Sequence, residues 1–202
     1  MAEPSRFPGY STLAKRDTPS WNVQTRRVVD QRLALPPGPR FLDAAEYRTL
    51  EALCARILPQ PPERAEPVPL AATLDAKLLA DHGDGYREAS MPPQREAWRR
   101  GLRALEAEAE ARFGAAFHAC APARQDELLH AIHRGEARSD AWGDMPPAGF
   151  FKHRVLHDVT GAYYAHPTAW DEIGFGGPAS PRGYVRMGYD RRDPWEAAER
   201  QP

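Results

Sequence analysis

Apolar residues recur at helical spacing along the middle of this chain. From Asp43 onward, Tyr47, Leu50, Cys54 and Ile57 share one face, widened by Leu53 and Leu58. Asp43 with Glu46 three residues later predicts a capping box, and Leu42 a hydrophobic staple. Pro59 ends this helix. A second starts near Pro69, a favoured first-turn residue, and carries Leu70, Leu74, Leu78 and Leu79 to about His82-Gly83. The longest pattern runs from about Pro93 to Phe113. Trp98, Leu102, Leu105, Ala109 and Phe113 form its inward stripe, with Arg99, Arg103, Glu106, Glu108 and Glu110 mostly on other faces. Gly114 supplies a left-handed stop. A fourth helix, about Pro122 to His133, turns Leu128, Leu129 and Ile132 inward. The fifth, about 148–165, is the most apolar, with Phe150, Phe151, Val155, Leu156, Val159 and Tyr163, and Pro167 closes it. No alternating run of strand length and no internal repeat is evident.

The ends of the chain lack such a period. Residues 1–40 are polar, with Pro, Gly and the single aromatics Phe7, Tyr10 and Trp21; a short helix from Gln24 to Leu33 is allowed. Pro36-Pro37-Gly38-Pro39 breaks the chain. Past Pro167, Trp170-Asp171-Glu172-Ile173-Gly174-Phe175-Gly176-Gly177-Pro178 continues to Arg182-Gly183-Tyr184. Glycine and proline fix turns there, so the aromatics must dock on this protein's helices or on another protein. The expected fold is all-α: an extended N-terminal arm (1–40), a small domain of about five helices (41–168), and a Gly/Pro/aromatic tail (169–202).

Composition narrows the functional classes. The 202 residues carry a formal net charge of -1, which lacks the electrostatic footprint of a nucleic-acid binder. Only Lys15, Lys77 and Lys152 are lysines; the other basic residues are Arg. No apolar run approaches the roughly 20 residues of a membrane span. Arg26-Arg27 is followed by residues too polar for a twin-arginine leader, so the expected compartment is the cytoplasm, or the periplasm if the chain is exported with a partner. Cys54 and Cys120 form no metal motif. Cys54 reads as a small buried hydrophobe, whereas Cys120, before a proline, is expected to be the more exposed thiol, free or in a disulfide.

Catalytic constellations are sparse. His153 and His157 stand four apart on one helix, a spacing that suits a metal, but no HExxH or Glu-x-x-His pair accompanies them. His130 and His133 are a second pair without thiol partners. The glycines at 174–177 follow no strand, so neither a dinucleotide fingerprint nor a P-loop is present. Glu106, Glu108 and Glu110 read as a solvated helix face. The expectation is no catalytic residue, no cofactor-binding residue and no metal ligand in this chain.

The order of features resembles the gluconate 2-dehydrogenase subunit 3 family over about residues 41–190. Four landmarks carry the resemblance: Arg56-Ile57-Leu58-Pro59; Phe113-Gly114-Ala115-Ala116-Phe117 followed by Gln125 and Leu128-Leu129; Phe150-Phe151 leading to Thr160-Gly161-Ala162-Tyr163-Tyr164-Ala165-His166-Pro167; and Trp170 with Ile173-Gly174 and Gly177-Pro178 before Arg182-Gly183-Tyr184. The resemblance implies a non-catalytic helical small subunit that binds, stabilises and helps assemble a flavin-dependent sugar or polyol dehydrogenase of the glucose–methanol–choline type. FAD would reside in that partner, and a c-type cytochrome is a further candidate partner. Many relatives carry a twin-arginine leader where this chain has its arm. The partner-binding candidates are Phe7, Tyr10 and Trp21 in the arm, Phe150 and Phe151 in the fifth helix, and Trp170, Ile173, Gly174, Phe175, Pro178, Arg182 and Tyr184 in the tail. Two alternatives stand beside this reading: a metal-binding protein or enzyme built on His153 and His157, and a chaperone-like module for another partner.

Overall fold

Asn22 accepts a hydrogen bond from the Thr25 N–H at 2.8 Å and so opens α1, Val23–Leu33, inside the N-terminal arm. Asp43 opens α2, Ala44–Ile57, through the expected capping box: its carboxylate accepts from the N–H groups of Ala45 and Glu46, and Glu46 accepts from the Asp43 N–H. Helix α3 is Leu70–Ala80. Pro69 stands just before it rather than in its first turn, and Asp81, left-handed at φ 55°, stops it sooner than expected. Helix α4 is Gln94–Phe113, ended by left-handed Gly114 at φ 65°. Helix α5, Pro122–His133, begins on Pro122. Helix α6, Pro147–Phe150, runs into a π-helical stretch, Phe151–Leu156, and then into α7, His157–Ala165; α8, Pro167–Trp170, comes next. These elements come from a computed structural model that describes residues 6–85, 87–179 and 197–199. Among the described residues there is no strand, so the fold is all-α as expected.

The chain forms two compact units, each built from separate stretches. The larger takes Pro36–Gln60 and Pro69–Ala162. Within it α2 packs on α3, α4 and α5, and α4 packs on α5 and α6. Leu50, Leu53, Leu74, Trp98, Leu102, Leu105, Leu128 and Ile132 are buried, as their helical spacing predicts. Gly101 lets the Phe150 ring lie against α4: a Cβ there would stand 2.2 Å from the ring's Cζ. Asp75, fully buried on α3, accepts from the backbone N–H groups of Arg40, Phe41 and Leu42 and so fixes the entry to α2.

Several expectations need correcting in this unit. Leu156 is 36 % exposed, whereas Asp158 is fully buried. Leu156 stands about 100° from Val155, off the buried stripe of Phe151, Val155, Val159 and Ala162, whereas Asp158, three residues after Val155 and four before Ala162, lies on that stripe. Glu108, read as solvated, is 2 % exposed: its carboxylate accepts from the Ser139 N–H at 2.6 Å, the Arg138 N–H and the Trp142 indole, and it pairs with Arg112. Cys120 is buried rather than exposed, and both cysteines are free thiols. Burial pushes the Cys54 thiol well above its ordinary range.

The smaller unit takes Met1–Leu35, Pro61–Val68 and Tyr163–Pro202. The N-terminal arm and the tail therefore belong to one body, and the arm carries a helix as well as extended chain. Trp21, Val29 and Trp170 form its core, with Leu13 packed against them.

Candidate functional site

In the smaller unit, arm and tail are laced together by polar contacts between residues far apart in sequence. The Thr12 N–H donates to Asp171 at 2.7 Å, and the Thr12 hydroxyl donates to the Phe175 carbonyl at 3.0 Å. Tyr10 donates to the same carbonyl at 3.0 Å. Lys15, 4 % exposed, donates to the Gly176 carbonyl at 2.8 Å and lies over the Tyr10 ring. These donors satisfy carbonyls that the irregular tail cannot pair by itself.

Glycine makes the close approach possible. Gly174 and Gly177 are left-handed, at φ 64° and 72°. A Cβ on Gly174 would stand 2.6 Å from the Phe7 ring, and one on Gly177 would stand 2.4 Å from Thr12 Cγ2. Arg32 of α1 adds a bond to the Ala165 carbonyl at 2.8 Å. In the 61–68 segment, Arg64 reaches the Tyr163 hydroxyl at 2.9 Å, pairs with Glu172 at 2.6 Å and lies over the Tyr163 ring.

This geometry sorts the candidate docking residues. Trp21 and Trp170 are 2 % and 3 % exposed and share one buried cluster. Phe150 and Phe151 are likewise packed inside the chain. Phe150 packs edge-on to Trp98, and Phe151 stacks on His133, both buried in the larger unit. The physical reason is common to all four: helices α1, α6 and α8 and the π stretch bring each ring against a partner inside the chain. Phe7, Tyr10, Gly174 and Pro178 are half-buried, and Ile173 and Phe175 stay exposed at 48 % and 38 %. Phe175 meets Trp170 edge-on at 5.6 Å, so an exposed ring is seated on a buried one. Arg182 and Tyr184 lie outside the described residues.

The larger unit holds the helix-spaced histidines on one wall of an open cleft of about 590 Å³, facing the loop after α3. His153 stands 3.9 Å from Glu88, and His157 stands 3.8 Å from Asp84. Ligand atoms of Asp84, His157 and Asp158 lie within 4.8 Å of one another, which is metal-site spacing. Two cations already occupy that centre. Lys77 lies 2.8 Å from Asp84 and 3.1 Å from Asp158; Arg154 lies 2.9 Å and 3.6 Å from the same two carboxylates. Gln94 and Trp98 donate to Asp158 as well. Burial raises the Asp84 pKa, but Lys77 and Arg154 outweigh it and hold the carboxyl below its ordinary range. The same carboxylates hold Lys77 above its range against the opposing effect of burial. Two carboxylates balanced by two cations leave no excess negative charge for a divalent ion.

Sequence reasoning overlooked this network. One signal was available: Lys77 is one of only three lysines and sits on an apolar helix. Asp158 carries a second signal, since it stands three residues after Val155 and four before Ala162, on the inward stripe of its helix.

No curated protein and no solved structure matches the chain. Among the described residues no helix is long and apolar enough to cross a membrane. A family model does match. It covers residues 44–177, from the first residue of α2 to the glycine that abuts Thr12, and its description is gluconate 2-dehydrogenase subunit 3. The match spans well over half the chain, and the protein belongs to the gluconate 2-dehydrogenase subunit 3 family.

Proposed function

We propose that this chain is a non-catalytic small subunit that binds, stabilises and helps assemble a flavin-dependent sugar or polyol dehydrogenase of the glucose–methanol–choline type. The flavin belongs to that partner, and a c-type cytochrome is the candidate electron acceptor. The observation that carries the reading is family membership over residues 44–177. The side-chain clusters agree with it. The carboxylates nearest a catalytic arrangement, Asp84 and Asp158, are engaged by Lys77 and Arg154 rather than held ready for a substrate.

The docking surface proposed for the flavoprotein is the rim of the arm–tail clasp. There Ile173 and Phe175 are exposed beside half-buried Phe7 and Tyr10, on a segment held rigid by Thr12, Lys15 and Asp171. Rigid exposed aromatics make good anchors, because little ordering entropy remains to be lost on binding.

Co-purification tests the reading. The tagged chain, expressed beside its flavoprotein, should bring down a yellow partner with flavin absorbance, and the chain alone should be colourless and inactive with sugars. Phe175→Ala should weaken capture with circular dichroism unchanged. Dye reduction by the isolated chain, or undiminished capture by a Phe175→Ala/Ile173→Ala variant, would overturn it.

A second reading, a metal-binding protein centred on His157, is favoured by one observation, the spacing of Asp84, His157 and Asp158. The cations at that centre weigh against it.

A further inference from the structure

His166 occupies an unusual position in the smaller unit. Its side chain is 6 % exposed, and its Nδ1 accepts from the Thr168 N–H at 3.3 Å, which caps α8. An accepting Nδ1 requires the neutral ring with its proton on Nε2. That Nε2 is buried, and the Arg32 backbone faces the ring. Helix α8 ends on Trp170, whose ring packs with Trp21 and Val29 of the arm and whose indole N–H donates to the Tyr164 carbonyl at 2.9 Å.

The charged form of the ring would be poorly accommodated. Nδ1 would become a donor facing the N–H it now accepts from. Arg32 from α1 and Arg64 from the 61–68 segment both face the site as cations. Glu66 from that segment and the Arg32 backbone favour the charged ring, but Arg64 is already drawn into its pair with Glu172. Burial, foremost, and the two guanidiniums depress the pKa of His166 below its ordinary value. Folding is therefore opposed by protonation: the unfolded ring takes up a proton first, and stability present above the ordinary histidine pKa of about 6.5 falls as pH drops below it.

We propose that His166 is a pH-sensitive latch on the arm–tail clasp: neutral, it caps α8 and seats Trp170 against Trp21; protonated, it uncaps α8 and frees the arm and tail from one another. His166, α8 and the residues they hold all lie in the smaller unit, so the opening expected is local to that unit. The latch is a property of the isolated chain and holds whether or not the chain assembles with a flavoprotein.

The test is hydrogen exchange of the full chain at pH 7.5 and 5.5, corrected for the intrinsic pH dependence of exchange. Peptides from α1 and from residues 167–178 report the clasp, and peptides from α4 serve as the internal control. In the wild type, clasp protection relative to α4 should fall on acidification, by up to about tenfold at pH 5.5, which lies about one unit below the ordinary histidine value. His166→Asn keeps a good capping acceptor but cannot titrate, so its clasp should be equally protected at both pH values. An NMR titration of the wild-type histidine C2 protons should show one resonance titrating below the others, in step with the loss of protection. Wild-type protection independent of pH, an equal loss in His166→Asn, or a His166 resonance titrating at or above the ordinary range would each overturn the proposal. Should His166→Asn fail to fold, the wild-type titration alone decides.

Discussion

The indole N–H of Trp98 donates to the fully buried carboxylate of Asp158 at 2.7 Å. This bond ties the N-terminal part of α4 to α7, and Lys77, Gln94 and Arg154 complete the shell around the same carboxylate. Removing one member of a buried charged network leaves its partners unpaired, which costs more than the network itself contributes. Asp158→Asn should destabilise the protein by about 3–5 kcal/mol, because Lys77 and Arg154 lose their buried counter-charge. Trp98→Phe removes one hydrogen bond to a charged group and should cost about 1.5–3 kcal/mol. Urea unfolding followed by far-ultraviolet circular dichroism checks both, and a loss under 0.5 kcal/mol for Asp158→Asn contradicts the account.

Asp84 gives the same network a pH signature. Its folded pKa is depressed, so it contributes stability that is fully present above the unfolded aspartate value of about 3.9 and is lost as pH falls through the lower folded value. Melting temperature should be flat in this respect near neutrality and decline below about pH 4. Asp84→Asn should melt lower at neutral pH and show a shallower acid decline. Parallel acid limbs in the two proteins would remove Asp84 from the account.

Core packing makes a matched pair of tests. Leu105, 2 % exposed, should cost about 2–5 kcal/mol on truncation to Ala. Gly101→Ala adds one methyl where the Phe150 ring already sits, and should cost about 1–3 kcal/mol by overpacking. Helix propensity alone would make that second change favourable. A stabilised Gly101→Ala variant would mean that Phe150 repacks freely.

The clasp predicts a local phenotype. Gly177→Ala meets Thr12 Cγ2 and a left-handed backbone together, and should loosen the arm while leaving α2 to α5 intact. Limited proteolysis should then cut within residues 6–35 faster than in the wild type at equal total helix content. Unchanged cleavage would show that the arm does not rely on this contact.

Metal analysis addresses the histidine cleft. The purified chain should hold no stoichiometric zinc or iron, because Lys77 and Arg154 stand where the ion's charge would be needed. About one metal per chain, lost in His157→Ala, would reverse that conclusion.

Local chemistry was the legible part of this sequence. Asp43 and Glu46, Gly114 and Pro122 act within one turn of their own position, and their caps and stops formed as their types dictate. The stripe of Trp98, Leu102 and Leu105 was legible because α4 is a regular helix. Leu156 was misplaced because it stands about 100° from Val155 at the edge of the inward stripe, and apolar character alone does not put a residue on that stripe. Glu108 was misread because its partners are backbone groups of a loop some 30 residues later. The fate of Trp21 and Trp170 was not encoded by periodicity at all. An aromatic in an irregular segment can be docked inside the chain or left for a partner, and only the fold distinguishes the two.

The discontinuity of the smaller unit has a consequence for synthesis. Thr12 and Asp171, bonded at 2.7 Å, are 159 residues apart in the chain. At roughly 5–20 residues per second, the arm leaves the ribosome on the order of ten seconds or more before the tail segment that binds it exists. Trp21 and Val29 spend that interval without the surface that later covers them, while the segments forming α2 to α5 emerge already able to pack on one another. The arm, made before these helices, is thus finished after them. The loop closed by that final contact is long, which slows its formation far more than it weakens the finished state.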